Sequence, residues 1–292
     1  MSEPIRLFVF GLGYSATALA RTLKGRAETA GTSRDPERLE ALAAEGFRAL
    51  AFDGRSPGAG VAAALGQATH LLVSVAPGEA DPVLAHHAGD ILAAKNLRWI
   101  GYLSSVGVYG NYGGAWVSER TTPHPKTTRT VQRLAAEKAW AKLAGASEVP
   151  LAIFRLAGIY GPGRNAFVNL AEGRAHRVVK PGQVFNRIHV ADIATTLAAA
   201  LERNATGIFN LADDEPSPPQ DVVAYAAGLM GVTPPPEIPF AGADLSPMAQ
   251  SFYADNKRVT NAGVKQELGI ALRYPSYREG LTALWHNGNW RE

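Results

Sequence analysis

The feature that most constrains the fold is a glycine turn that follows directly on a short apolar segment near the start of the chain. Residues 5–10 read IRLFVF, and residues 11–16 read GLGYSA. Gly11 permits a tight turn, Gly13 lets the backbone approach a pyrophosphate, and Ala16 is small enough for close helix–strand packing. The sequence therefore predicts a β-strand, a dinucleotide-binding turn and a helix in succession.

An apolar stripe at helical spacing follows this turn. Its members are Ala16, Leu19, Ala20 and Leu23. They recur at i, i+3, i+4 and i+7, which is typical of an amphipathic helix. The free N–H groups and the positive dipole end of such a helix would point at bound phosphates. Glycine turns occur in many α/β proteins, so the flanking strand and helix are the context that favours nucleotide binding.

Composition excludes several other classes of protein. The chain has 292 residues, of which 46% are hydrophobic and 19% charged, as in ordinary globular proteins. The net charge of +3, without a basic run, argues against a nucleic-acid partner. The absence of cysteine excludes disulfides and thiolate chemistry and is compatible with a reducing compartment. We find no signal segment and no long apolar run, so we expect a cytoplasmic protein that does not bind membranes.

Strand and helix patterns alternate along most of the chain. We predict strands near 5–10, 28–33, 48–52, 70–75, 98–103 and 151–156, and helices over 36–45, 130–143 and 191–203. This alternation predicts an α/β fold with a doubly wound parallel Rossmann sheet covered by helices on both faces. After residue 212 prolines become frequent, and we expect a smaller, irregular region there.

The residues that follow the second predicted strand favour NADP over NAD. About 20 residues after the glycine turn, an NAD-type site carries an acidic residue and an NADP-type site a basic one. Here that position holds Ser33 and Arg34, whose hydroxyl and guanidinium suit a 2′-phosphate; alternatively, Arg34 is a solvated turn residue. Asp53, in an Asp-Gly pair, could accept a hydrogen bond from adenine or simply form a turn.

Four further segments carry a family resemblance. Residues 102–110 read YLSSVGVYG, residues 154–163 read FRLAGIYGPG, residues 187–192 read RIHVAD, and residues 207–212 read GIFNLA. In order and spacing they resemble signatures of the extended short-chain dehydrogenase/reductase family, the NAD-dependent epimerase/dehydratase group. That family more often carries GxxGxxG, so the GLGYSA turn makes this chain an atypical member.

The resemblance implies a division into two domains. A Rossmann dinucleotide-binding domain would cover 1–158, with residues 187–212 returning to it. A smaller C-terminal α/β region, over 159–186 and 213–292, would bind a small-molecule substrate, commonly a nucleotide-linked sugar. The implied activity is that of an oxidoreductase or epimerase, acting on a nucleotide-sugar-like or small carbonyl substrate.

Family members often form homodimers through the helices after the fourth and fifth strands. One apolar stripe here would supply such a face: Leu84, Ala88, Ile91 and Leu92. The same stripe would equally suit burial against the chain's own sheet.

The chain departs from the family at the catalytic pair. The resemblance implies a serine at the end of the fifth strand, which Ser105 matches, and a YxxxK pair on the next helix. Arg129 stands in place of the tyrosine and Arg133 in place of the lysine. Because a guanidinium stays protonated, Arg129 cannot act as the general acid.

Three explanations of this departure remain open. An oxidoreductase or epimerase could take its proton from elsewhere, with Tyr109, Tyr112 and Tyr160 as candidates; each could instead fill the protein interior. Alternatively, the protein is a non-catalytic NADP(H)-binding sensor, in which the two arginines, four residues apart, clamp an anion or form a solvated basic face. The third explanation is an error in the register, although the prolines at 123 and 125 prevent a much earlier helix start.

The candidate site residues fall into three groups. The catalytic candidates are Ser105, Tyr109, Arg129 and Arg133. The cofactor candidates are Gly11, Gly13, Tyr14, Ser15, Ala16, Ser33, Arg34, Asp53, Ser74 and Ser104. The substrate candidates are Tyr160, Arg164, Asn165, Asn186, Arg187 and His189. The seven histidines show no ligand spacing, so we predict no metal site.

Overall fold

A computed structural model describes residues 4–292. Its strands are β1 (Ile5–Phe10), β2 (Ala27–Ser33), β3 (Arg48–Ala51), β4 (His70–Val73), β5 (Trp99–Ser105), β6 (Trp116–Val117), β7 (Leu151–Leu156), β8 (Gly158–Tyr160), β9 (Arg177–Val179), β10 (Arg187–His189), β11 (Gly207–Leu211), β12 (Glu237–Pro239) and β13 (Arg258–Val259). Its α-helices are α1 (Tyr14–Thr22), α2 (Pro36–Ala44), α3 (Val61–Gln67), α4 (Pro82–Ala93), α5 (Thr128–Ser147), α6 (Ala166–Ala171), α7 (Val190–Glu202), α8 (Pro219–Met230), α9 (Pro247–Tyr253), α10 (Ala262–Glu267) and α11 (Tyr277–His286).

Seven strands form the main sheet in the order β11-β7-β5-β4-β1-β2-β3. The neighbours β3, β2, β1, β4 and β5 run parallel to one another. The order reverses between β1 and β4, the crevice at which doubly wound sheets bind ligands beyond the carboxyl ends of their strands. The predicted fold class is confirmed.

The predicted elements agree with the observed ones to within a few residues. Each predicted strand coincides with one of β1 to β5 or β7, and the three predicted helices are α2, α5 and α7. The largest difference is α5, which extends the predicted 130–143 to Thr128–Ser147. None of the helices in residues 4–292 combines the length and the apolar character that crossing a bilayer requires.

The chain forms two compact units. Unit 1 comprises the described residues within Met1–Ser105, Thr128–Arg155 and Ile193–Phe209, and unit 2 comprises Val106–Thr127, Leu156–Asp192 and Asn210–Glu292. The two-domain division made from the sequence stays a prediction.

Large apolar side chains hold unit 1 together beneath the sheet. Phe8 and Phe10 on β1, Ile100 and Tyr102 on β5 and Trp140 on α5 belong to one buried cluster, each at most 1% exposed. Burial of a side chain of this size contributes about 1.5–3 kcal/mol to folding. The cluster fixes α5 against the sheet, which matters for the site described below.

Unit 2 is more regular than the proline-rich sequence after residue 212 suggests. That stretch contains four α-helices, α8 to α11, where we expected an irregular region. Pro219 and Pro247 stand at the start of α8 and α9, where a proline needs no N–H partner and its fixed φ suits the first turn. Of these helices, α8 and α11 pack with α6 around a second core that includes Phe167, Val222 and Leu281.

The stripe on α4 is mostly buried against unit 1 itself. Ile91 is 1% exposed, and Leu84 and Ala88 pack against the core, whereas Leu92 is 46% exposed. Three of the four residues are therefore packed within unit 1, which was the alternative to a dimer face. Homodimer formation stays a prediction.

Candidate functional site

The glycine turn connects β1 to α1 in unit 1. Gly11 has a φ of +86°, a backbone conformation that other residues adopt only at a cost. Its N–H donates to Thr32 Oγ1 at 3.0 Å, and the Leu12 N–H donates to the Thr32 carbonyl at 2.8 Å. These bonds tie the turn to β2, so the neighbouring strand holds its shape.

The backbone at Gly13 faces open space. A Cβ built on Gly13 would meet no atom of the described chain within 4 Å, its sequence neighbours aside. Tyr14 and Ser15 begin α1, and Ala16 is fully buried beneath the turn. This arrangement fits the close backbone approach that a pyrophosphate requires at a helix N-terminus.

Ser33 and Arg34 lie at the carboxyl end of β2. The Ser33 hydroxyl accepts a hydrogen bond from the Asp35 N–H at 3.2 Å, and Asp35 accepts one from the Glu37 N–H at the start of α2. Arg34 is exposed. A hydroxyl and a guanidinium thus border the edge of the sheet at which the glycine turn lies.

Arg38, which sequence reasoning missed, lies against the glycine turn. Its Nη2 donates to Thr17 Oγ1 at 2.9 Å, and its Nε donates to the Leu12 carbonyl at 3.4 Å. These bonds hold a partly buried positive charge beside the turn. Its place in the first turn of α2, four residues after Arg34, is the signal that could have identified it, since this turn follows closely on the carboxyl end of β2.

Two more predicted cofactor contacts follow β3 and β4. Asp53 is exposed, and its Oδ1 accepts a hydrogen bond from the Arg55 N–H at 2.9 Å, so it also forms the turn expected of an Asp-Gly pair. The Ser74 N–H donates to the Phe10 carbonyl at 2.8 Å. Because the strands are parallel, both residues lie at the same edge of the sheet as the glycine turn.

The predicted contact of the Ser104 hydroxyl with the cofactor is replaced by a bond inside unit 1. Ser104 is 5% exposed, and its hydroxyl donates to Glu137 Oε1 at 2.5 Å. Side chains alternate along a strand, so Ser105, the last residue of β5, points to the other side and is half-buried.

A buried ion pair fixes α5 to β7. Arg155 Nη2 donates to Glu137 Oε2 at 2.7 Å and its Nε donates to Glu137 Oε1 at 3.1 Å, with side-chain exposures of 3% and 4%. Together with the Ser104 bond, this pair connects β5, α5 and β7. Sequence analysis assigned neither charged residue a role, although Glu137 lies four residues after Arg133.

Arg133 extends from α5 to the end of β5. Its Nη1 donates to the Leu103 carbonyl at 3.0 Å and to the Tyr102 hydroxyl at 3.2 Å. Burial raises the pKa of Tyr102 to about 12, although the nearby Arg133 charge opposes this rise. Arg129 lies one helical turn earlier and is exposed. Unit 1 thus presents positive charge near Ser105.

Two of the candidate tyrosines have hydroxyls that donate to backbone carbonyls in unit 2. Tyr112 donates to the Thr122 carbonyl at 2.5 Å, and Tyr160 donates to the Ser276 carbonyl at 3.2 Å. Tyr160 is 7% exposed, and burial raises its pKa further above the ordinary value for tyrosine. A hydroxyl in this environment is a poor proton donor near neutral pH.

The third candidate, Tyr109, is completely buried. Its hydroxyl donates to Asn210 Oδ1 at 2.8 Å. We expect Tyr109→Phe to lower the free energy of unfolding by about 1–3 kcal/mol, since it leaves a buried amide oxygen without this donor. Denaturant titration measures the loss, and Tyr112→Phe, at a less buried hydroxyl, is the control. Lost activity with unchanged stability would instead indicate that Tyr109 is catalytic.

Two predicted substrate residues have their side-chain amides occupied within unit 2. Asn165 Oδ1 accepts from two backbone N–H groups at the start of α6 and thereby caps that helix. Asn186 Nδ2 donates to the Lys257 carbonyl at 2.9 Å, and its Oδ1 accepts from the Val259 N–H at 2.8 Å. The observed geometry therefore assigns both asparagines to the internal structure of unit 2.

His189 packs between aromatic rings. Its ring centroid lies 4.1 Å from that of Tyr274 and 5.1 Å from that of Tyr160, and its Nδ1 accepts the Ala191 N–H at 3.1 Å. Burial lowers the pKa of His189 to about 4, so the ring is neutral at pH 7. Among residues 4–292 no group of three histidine or acidic side chains could hold a metal ion.

Arg187 and Tyr160 line a cavity of about 250 Å³ in unit 2, whereas Arg164 is exposed. Arg187 Nη1 donates to Ser217 Oγ at 2.8 Å and to the Phe185 carbonyl at 3.1 Å. Of the six substrate candidates, this cavity therefore brings together two.

A buried carboxyl lies near Arg187. Asp213 is 2% exposed, and burial raises its pKa to about 8, although the Arg187 charge opposes the rise. The native state thus holds a proton that the unfolded state, with an Asp pKa near 3.9, releases. Asp213 therefore stabilises the fold most below about pH 4, and this contribution is lost as the pH rises towards 8.

We expect the melting temperature of the wild type to change less favourably between about pH 5 and pH 8 than that of Asp213→Asn, which keeps the acceptor for the Glu215 N–H. Thermal denaturation at a series of pH values measures the difference. Asp221→Asn, at an exposed position, is the control and should leave the pH slope unchanged. Parallel slopes for wild type and Asp213→Asn would contradict the assignment.

The sheet order and the glycine turn at its carboxyl edge define a Rossmann-type dinucleotide-binding fold. Residues 85–212 match the NAD dependent epimerase/dehydratase family. A conserved protein of known structure from Silicibacter pomeroyi DSS is 48% identical, covers 97% of this chain and 99% of its own, and superposes with a TM-score of 0.88. The chain belongs to the NAD-dependent epimerase/dehydratase family.

More distant relatives share parts of this similarity. The human epimerase family protein SDR39U1, whose structure contains NADPH, is 16% identical over 97% of this chain and 100% of its own, with a TM-score of 0.71. This likeness shows the fold. A 3-diazoavenalumate denitrifying reductase from Streptomyces sp is 26% identical over 170 residues, or 54% of this chain. The match spans 54% of the length of that relative.

Proposed function

We propose that this protein is an NADP(H)-dependent oxidoreductase that acts on a small-molecule substrate. The observation that carries the proposal is the Arg38 guanidinium held against the glycine turn, four residues after Arg34. NAD-type sites place a carboxylate after the second strand, whereas two guanidinium groups suit a 2′-phosphate. We therefore infer NADP rather than NAD.

The residues at the carboxyl edge of the sheet would hold separate parts of this cofactor. The N–H groups at the start of α1 would bind the pyrophosphate, and the absence of a side chain at Gly13 would let it approach the backbone. Ser33, Arg34 and Arg38 would bind the 2′-phosphate, and Asp53 would accept a hydrogen bond from the adenine amino group. Bound NADP(H) would supply or accept a hydride.

The residues at the end of β5 would position the substrate by charge and hydrogen bonding. Arg129 and Arg133 replace the family tyrosine and lysine, and a guanidinium holds an anion without giving up its proton. Ser105 supplies a hydroxyl at the same strand end. We infer that neither arginine supplies a proton to the substrate.

The Streptomyces relative supports reductive chemistry on substrates other than nucleotide sugars. Its name describes a reductase, and the named substrate carries a diazo group. A substrate panel for this protein should therefore include an aryl diazonium compound beside small carbonyl compounds and nucleotide sugars.

The test is calorimetric titration of the purified protein with NADPH and NADH, followed by NADPH oxidation assays with this panel. We expect NADPH to bind at least about 10-fold more tightly than NADH, the difference that one charge-assisted contact produces. Turnover of any member of the panel supports the oxidoreductase. Failure of both nucleotides to bind would overturn the cofactor proposal.

A second candidate function is that of a non-catalytic NADP(H) sensor. The arginines at positions 129 and 133 favour it, because no tyrosine–lysine pair is present on α5. Tight NADPH binding without turnover across the panel would select this function.

We further propose that the protein acts in the cytoplasm as a homodimer. The absence of cysteine is compatible with a cytoplasmic location. The exposed Leu92 on α4 is the part of the apolar stripe that a dimer contact could still cover. Light scattering over a concentration series tests the dimer, and a monomer at every concentration would contradict it.

A further inference from the structure

The cavity in unit 2 is lined by both basic and apolar side chains. Its basic lining side chains are Arg174, His176 and Arg187, and no acidic side chain of the described residues lines it. Arg174 is 63% exposed and pairs with Glu172, so solvent and its partner screen its charge. The charge inside the cavity therefore comes chiefly from Arg187.

Arg187 is an anchored cation with unused donors. Its hydrogen bonds to residues 4–292 all involve Nη1, and no carboxylate oxygen of this range lies within 4 Å of it. A guanidinium has five N–H donors, so Nε and Nη2 remain for a ligand. Bonds to Phe185 and Ser217 hold the group in place before any ligand binds.

A second unpaired donor belongs to Tyr277, which also lines the cavity. The residue is 1% exposed, and its hydroxyl has no hydrogen-bond partner in the described chain. The Arg187 guanidinium lies 5.9 Å from the Tyr277 ring. A buried hydroxyl without a partner costs about 1–3 kcal/mol, which a ligand oxygen would recover.

Asp213, which lies near Arg187, does not cancel its charge. Because burial raises the pKa of Asp213 to about 8, this carboxyl is mostly protonated at pH 7. A bound anion would therefore meet a cation and hydroxyl groups without a competing carboxylate charge.

Apart from Asn169 and the two tyrosines, Tyr160 and Tyr277, the rest of the lining is apolar, and the space is small. Val222 and Leu281 form one wall, with Ala166 and Ala175 nearby. The volume of about 250 Å³ falls below the range of about 300–1,000 Å³ for sites that bind drug-sized ligands. An acid with a single ring fits this space, whereas a nucleotide sugar would extend beyond it.

We propose that this cavity binds a small organic monocarboxylate, with its carboxylate on Arg187 and Tyr277 and its apolar body against Val222 and Leu281. The proposal names the substrate class of the oxidoreductase and in that respect rests on the proposed function. The binding itself requires only unit 2 and can be measured without cofactor.

The probe is benzoate, and the matched neutral compound is benzamide. Calorimetric titration of the full-length protein at pH 7, without cofactor, should show benzoate binding at least about 10-fold more tightly than benzamide, since a charge-assisted bond contributes about 1.5–3 kcal/mol. Equal affinities, or no benzoate binding up to its solubility limit, would overturn the proposal.

Two variants locate the carboxylate. Arg187→Met should weaken benzoate binding by about 10- to 100-fold, and Tyr277→Phe, which keeps the ring, by about 2- to 10-fold. The control is Arg278→Met, at an exposed arginine that contacts the Tyr277 ring from outside the cavity lining. Unchanged affinity in Arg187→Met would overturn the placement.

A third variant covers the case in which Arg187→Met fails to fold. Val222→Phe fills the cavity while keeping its charge, and it should abolish benzoate binding without affecting NADPH binding in unit 1. NADPH titration of the same samples separates the two hypotheses. Benzoate binding without NADPH binding would contradict only the proposed function. NADPH binding without benzoate binding would contradict only the monocarboxylate site.

Discussion

Replacing Arg155 by methionine is expected to lower the free energy of unfolding by about 3–5 kcal/mol, the cost of breaking a buried ion pair by removing one partner. Arg155 and Glu137 are almost completely buried, and two hydrogen bonds join them. Without the guanidinium, the Glu137 carboxylate would stay in the core. Of the hydrogen bonds described above, it would keep the one from the Ser104 hydroxyl. Denaturant titration measures the loss.

A double replacement tests the cause of this loss. Glu137→Leu combined with Arg155→Met removes both charges, and buried pairs replaced by apolar residues of similar volume often cost little. We therefore expect the double variant to recover most of the stability that the single variant loses. Equal loss in both would show that the cost lies in the lost pair itself and not in an unpaired charge. A loss below about 1 kcal/mol in Arg155→Met would show that the pair does not hold α5 in place.

Reversing both charges near the end of β2 should abolish the preference for NADP. Arg34→Glu together with Arg38→Glu removes two donors to the 2′-phosphate and adds two repelling charges. Each charge-assisted bond contributes about 1.5–3 kcal/mol, so NADPH affinity should fall by at least about 100-fold. NADH lacks the 2′-phosphate, so its affinity should change by less than about 10-fold.

Parallel titrations of NADPH and NADH measure this change in preference. Arg48→Glu is the matched control, because Arg48 is exposed at the opposite end of its strand in the same unit. Arg34→Glu and Arg38→Glu as single variants then show how much each guanidinium contributes. Equal losses for both nucleotides in the double variant would refute the 2′-phosphate assignment and leave only a structural effect at the turn.

The sequence was sufficient to predict those features that depend on residues close together in the chain. The apolar segment before Gly11 and the stripe after it predicted β1 and α1, because the period of apolar residues differs between strands and helices. Parallel strands place their carboxyl ends at one edge, so the positions of Ser33, Arg34 and Asp53 also followed. The family resemblance is confirmed by the comparisons.

Side-chain direction was the part that sequence reasoning could not supply. Ser104 was expected at the cofactor, but its hydroxyl points into the core, where it bonds to Glu137. Asn165 and Asn186 were expected at the substrate, yet their amides bond within unit 2. A polar side chain near a motif has several available partners, and only the packed chain determines which one it meets.

The sequence by itself determined the family, the parallel sheet and the turn for a dinucleotide, since these depend on local apolar periodicity, glycine conformation and motif order. Only the tertiary structure decided which charges are paired. It placed Arg155 against Glu137, placed Arg38 against the glycine turn, and left Arg187 in a small cavity without a carboxylate partner among residues 4–292. The physical reason is that charge pairing and burial depend on distances between residues far apart in the chain, which arise only when the helices pack on the sheet.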